Sequence, residues 1–151
     1  MRFARVIGFA MPASATMSRS RIVTNRRNLA RCATRASSFD SARVILESKV
    51  KSQPANARLL SYLGVAYAGL GRRDEAIELG GKAVDLVPFT KDNVFGVVYF
   101  ETLAFIFLLV GEIEFATQQI EFLLSVPSSV SRPLLRHCSY YAPIKHLADK
   151  Q

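Results

Sequence analysis

The sequence predicts an all-α fold of antiparallel helical hairpins stacked as a short solenoid, and three observations carry this. Apolar residues recur at helical spacing in five segments separated by proline and glycine. Leu63, Gly64, Tyr67, Gly71, Ala76, Ala83 and Pro88 stand at the offsets of one helix–turn–helix unit. Leu29, Ala30, Ala33, Ala42 and Pro54 partly repeat those offsets about 34 residues earlier, a period that belongs to helical repeat arrays.

Taken in order, the helices are predicted near 38–52, 57–70, 73–87, 93–110 and 112–126. Ser37 or Ser38 suits the cap of the first, which carries Phe39, Ala42, Ile45, Leu46 and Val50 and stops at Gln53-Pro54. The second places Leu59, Leu60, Leu63, Ala66 and Tyr67 along one side, and Gly71 marks its end. Asp74 and Glu75 open the third at the positive end of the helix dipole, and Pro88 ends it. The next unit is longer, because Gly111 follows Gly71 by about 40 residues instead of 34. Asp92 is the expected cap of its first helix, Gly111 the turn, and Ile113, Phe115, Ala116, Ile120, Leu123 and Leu124 the stripe of the returning helix before Pro127. Gly80 and Gly81 lie inside a helix, where each costs about 1 kcal/mol relative to alanine. Close packing against the next helix is the expected compensation for at least one of them.

The formal charge of +8 is unevenly placed. Residues 1–38 hold eight arginines and no acid, whereas the remainder balances twelve basic against twelve acidic side chains. Three regions follow: a basic leader over 1–37, disordered or a degenerate first helix; repeats over 38–130; and a capping segment over 131–151. The leader has the outline of a secretory signal or an organelle transit peptide, but its apolar stretch is short and Pro12 interrupts it. Cys32 and Cys138 show no motif spacing, which suits a reducing compartment, and a cytoplasmic location is expected. The apolar run Val94–Val110 is shorter than the roughly 20 residues of a membrane span and contains Glu101, so it reads as a buried helix.

These residues resemble the tetratricopeptide repeat family, with Leu60 in the place of the usual large aromatic. A narrower likeness runs from Tyr62-Leu63-Gly64 through Leu109-Val110-Gly111-Glu112 to Pro133-Leu134-Leu135-Arg136. It resembles the carboxy-terminal repeat region of large bacterial signalling proteins, where the repeats follow a kinase, nucleotide cyclase or winged-helix domain. The resemblance implies a non-enzymatic interaction scaffold, or alternatively the regulatory end of such a protein. It also implies that the first helix of each hairpin lines a groove for a peptide or partner helix. Carried over by position, Arg58, Ser61, Tyr62, Val65 and Ala68 face that groove, followed by Glu101, Thr102, Phe105 and Leu108. The ending departs from the family after Arg136, so the terminal cap is expected to pack poorly and the chain to self-associate or to need neighbouring repeats.

Catalytic constellations are hard to build from this chain. His137 and His146 lack metal-ligand spacing, and Gly80-Gly81-Lys82-Ala83 lacks both the first glycine and the hydroxyl residue of a phosphate loop. No cofactor is expected. Glu75, Glu78, Glu112 and Glu114 are expected on helix starts and solvated faces. If residues 24–36 are helical, Arg27, Arg31 and Arg35 share one face, and with Arg58 they favour an acidic protein or peptide. Nucleic acid is the competing partner class; against it, the leader offers only Phe3 and Phe9 for stacking and no recognition helix.

Overall fold

In a computed structural model the described residues are 26–92 and 94–149, with side chains described from Ala36 onward. They form α1 (Arg26–Ser52), α2 (Ala57–Gly69), α3 (Arg73–Leu86), α4 (Phe95–Val110), α5 (Ile113–Ser125), the short α6 (Arg132–His137) and a 3-10 segment over Ser139–Ala148. Among the described residues no strand is present, and no helix is long and apolar enough to cross a membrane.

Local chemistry sets most of the boundaries. The Asn56 side chain accepts from the backbone N–H groups of Arg58 and Leu59, capping α2. Asp92 Oδ1 does the same for Val94 and Phe95 ahead of α4. Gly71 and Gly111 adopt φ of 78° and 85°, the left-handed conformation that closes a helix with least strain in glycine. In both closures the next residue reaches back across the turn, Arg72 N–H to the Tyr67 carbonyl and Glu112 N–H to that of Phe107. The two hairpins therefore end in the same turn, and Arg73 pairs with Glu112 to join one turn to the other. Glu112 is thereby drawn in to 15% side-chain exposure, where the sequence reading expects a solvated acid.

The start of α1 also differs from expectation. No cap forms at Ser37 or Ser38; the helix runs straight through them, and the Ser41 hydroxyl donates to the Ser37 carbonyl. Neither proline nor glycine occurs between Arg26 and Ser52, so nothing breaks the backbone ladder there.

α2 and α3 pack as one hairpin and α4 and α5 as another, while α2 and α4 lie side by side. Tyr99 packs near Leu60, and Ile106 lies near Ala68, so α2 and α4 run in the same direction. Glycine makes the close approach possible. A Cβ at Gly64 and a Cβ at Gly80 would each meet Ile106 Cδ1 at 2.9 Å, and one at Gly80 would also meet Leu103 at 2.8 Å. Ile106 thus seats its tip in a notch cut jointly into α2 and α3, which is the expected compensation for Gly80. On the other flank the Phe39 ring of α1 lies where a Gly69 side chain would stand, at 2.3 Å.

The closing segment corrects the expectation of a poorly packed cap. Leu135, Ile144 and Leu147 are fully buried against Leu103, Phe107, Ile120 and Leu123 in one cluster. Arg136 clasps the Ala148 carbonyl and the Asp149 carboxylate, holding the segment's two ends together. The far end of the stack is therefore sealed by the chain itself.

α1 is fastened to α2 by a polar bridge as well as by Phe39. Tyr67 donates its hydroxyl to Glu47 at 2.7 Å, Arg43 pairs with Glu47 and Asp40, and Arg72 stacks over the Tyr67 ring at 4.2 Å. The Tyr67 hydrogen bond, then Arg43, holds the Glu47 carboxyl below the usual carboxylate range. Burial first, then Glu47, pushes the Tyr67 phenol up. A carboxylate whose pKa is depressed on folding stabilises the fold above its unfolded pKa, and that stabilisation is lost as pH falls through the depressed value. Melting temperature is accordingly expected to drop with acid below the ordinary carboxylate range, and to drop less steeply in Glu47→Gln. Parallel acid profiles for parent and variant would contradict the bridge.

Candidate functional site

The residues that the sequence assigns to a groove divide into three groups. On α2, Arg58 and Tyr62 are exposed, one helical turn apart, with the guanidinium donating to the phenol oxygen at 3.4 Å and lying 5.8 Å from the ring centre. Ser61 and Ala68 are instead buried, and Val65 is half-buried beside Ile106, Leu109 and Val110. The reason is the position of α4, which lies directly along this side of α2. The Ser61 hydroxyl turns back to the Arg58 carbonyl and is thereby satisfied.

On α4 the assigned residues are committed within the chain. Glu101 accepts from both the backbone N–H and the hydroxyl of Ser129, at 2.7 and 2.6 Å. Phe105 meets Tyr140 edge-on at 5.3 Å, Leu108 packs on the main core, and Thr102 donates to the Val98 carbonyl one turn back. Residues after Val126 thus cover the part of α4 that the resemblance leaves open for a ligand.

Arg27, Arg31 and Arg35 fall in α1, though their side chains lie outside the described part. The backbone keeps them away from Arg58. Arg58 sits in the first turn of α2, next to Ala57 and Leu60, which pack with Val50 near the end of α1. Arg35 is 15 residues before Val50, roughly 22 Å along the helix axis. One shared basic surface does not form.

What remains open is a face built by two helices. Tyr99 of α4 packs against Ala57 and Leu60, the residues that flank Arg58 at the start of α2, and the hydrogen bond to Tyr62 pushes the Arg58 guanidinium up, with Tyr99 a smaller contributor. Phe95 shares the Tyr99 side of α4 by helical register and is 58% exposed; Val98, three residues on from Phe95, is 47% exposed, and Tyr62 on the facing helix 48%. None of the ion pairs among the described residues includes Arg58. No family model, curated protein or solved structure matches the chain. The face presents a solvent-facing guanidinium, two phenols and two large apolar side chains. Arginine and tyrosine are the types that dominate binding energy at protein interfaces. Sequence periodicity points to Arg58 and Tyr62, but Phe95, Val98 and Tyr99 are missed. All three follow the lengthened connection between α3 and α4, whose size no local pattern fixes.

Proposed function

We propose that the chain is a non-enzymatic interaction scaffold, a short tetratricopeptide-type solenoid that docks an acidic peptide or helix across α2 and α4. The observation that carries this reading is the exposed Arg58–Tyr62 pair with Tyr99, Val98 and Phe95 beside it. An isolated exposed apolar residue is ordinary, whereas several exposed aromatic and apolar side chains near an arginine that forms no ion pair among the described residues fit a partner surface. The parallel course of α2 and α4 and their matching turns support the solenoid arrangement. The face is narrower than the family groove, because residues after Val126 cover Glu101 and Phe105.

The test is an array of extended peptides of about ten residues, graded in acidic and apolar content and read by fluorescence anisotropy. Peptides combining acids with an aromatic residue are expected to bind best. Arg58→Gln and Tyr62→Ala are each expected to weaken the best binder by about 1–3 kcal/mol, the usual scale for an interface anchor. Equal affinity for parent and both variants would place the partner elsewhere.

A further inference from the structure

Four helices meet at one end of the molecule. Val50 near the end of α1, Ala57 and Leu60 at the start of α2, Ala83 and Val87 around the end of α3, and Tyr99 of α4 pack in a single apolar cluster. Three exposed cations stand around it: Lys49 next to Val50, Arg58 next to Ala57, and Lys91 in the connection that leads to Phe95.

Lys49 lies on the flank of α1 that borders the Arg58 face. Phe39 reaches Gly69, which shares the Tyr62 side of α2 by helical register, whereas Glu47 reaches Tyr67 on the other side. By the same register Lys49 falls on the Phe39 flank, nearly opposite Glu47, and so stands toward Arg58 and Tyr62.

The acids nearest in sequence to these cations are committed or turned away. Glu47 is held by Arg43 and Tyr67, and Asp92 accepts from the N–H groups of Val94 and Phe95. Asp85 lies on the side of α3 opposite the fully buried Ala76 and Ala83, away from α2. None of the ion pairs among the described residues includes Lys49, Arg58 or Lys91. Tyr62 stands one turn beyond Arg58, and the half-buried Val65 follows, so apolar surface begins where the cations end.

We infer, on the reading that α2 and α4 form a docking face, that Lys49 and Lys91 extend Arg58 into an acid-reading end of that face. The partner segment then carries a run of neighbouring carboxylates adjoining its aromatic or aliphatic residues. Lysine is a point charge on a flexible stem, so this end reads the number of acids more than the exact place of any one. A phosphate backbone supplies the charge but nothing to cover Tyr62, Phe95 and Val98, which favours a peptide over a nucleic acid.

The test uses the full chain and two labelled peptides read by fluorescence anisotropy at low salt. One is a run of glutamates followed by Phe-Leu; the other is the same peptide with all but one glutamate changed to glutamine. The parent is expected to favour the first by roughly fivefold, as two added exposed ion pairs of about twofold each give, and to lose most of that preference near about 0.5 M salt. K49Q/K91Q is expected to bring the two affinities together without weakening the single-acid peptide, and K49E/K91E to reverse the preference. R58Q is expected to weaken both peptides. Equal binding of the two peptides by the parent, or an unchanged preference in K49Q/K91Q, would overturn the inference, while weakening by R58Q still upholds the docking face. Unaltered binding of both peptides by R58Q would overturn the docking face and the inference with it. Equally strong competition by duplex nucleic acid at matched charge would overturn the inference by assigning the cations to phosphate.

Discussion

Ala76→Glu is expected to leave the chain unfolded at room temperature. Ala76 is fully buried in the second turn of α3, packed with Ala68 and Ile106, and Val65, Tyr67 and Leu109 complete its surroundings. Its carbonyl lies 3.1 Å from where a Gly64 side chain would begin, so the backbones of α2 and α3 are already as close as two helices come. A glutamate there must either bury a carboxylate without a cation or wedge α2 away from α3. Either route costs several kcal/mol against a total stability of about 5–15 kcal/mol. Circular dichroism reads the result, with Asp85→Ala on the exposed side of the same helix melting close to the parent. A cooperative melt of Ala76→Glu near the parent temperature would mean that the hairpin does not close as described.

Ile144→Asp is the second large effect. Ile144 is fully buried within the 3-10 segment, where it joins Leu135 and Leu147 in filling the end of the core between α4 and α5. Replacing it loses the transfer energy of the side chain and places a charge in the cluster, about 3–5 kcal/mol together. A drop in melting temperature of at least about 10 °C is expected at that cost. Release of the segment also uncovers Leu103 and Phe107, so the variant is expected to associate more strongly than the parent as concentration rises. Lys145→Ala, at the exposed neighbouring position, is expected to melt with the parent. If Ile144→Asp melts unchanged and stays monomeric, the closing segment does not seal the stack.

How much of this was legible in the sequence depends on the range over which each cause acts. Gly71, Gly111, Pro54, Pro88 and Pro127 act within a few residues, and the helices they bound fall within about two residues of their expected ends. The close packing of Gly80 was legible for a similar reason, since a helical glycine without local purpose implies a neighbour. The start of α1 was not: Ser37 and Ser38 have the chemistry of a cap, but a serine caps only where the chain turns, and no glycine or proline turns it there. The groove was half legible. Periodicity places Ser61, Val65 and Ala68 on one side of α2 without saying that α4 occupies that side. The partners of Glu101 and Phe105 are about 28 and 35 residues away, beyond any local pattern. Ile144 sits in a 3-10 stretch around Pro143, where the helical apolar period that marks the other core residues does not operate.

The proposed docking face is formed by α2 and α4 together, beside a core that closes on itself. Backbone and side-chain chemical shifts of the isotopically labelled full chain, followed while the best acidic aromatic peptide is added, test it most directly. Shifts are predicted to concentrate on Arg58, Tyr62, Phe95, Val98 and Tyr99, with Ser129 to Ala148 unperturbed. Shifts centred on Glu101, Phe105 and the residues that cover them would show instead that the peptide displaces the closing segment, and would contradict the account.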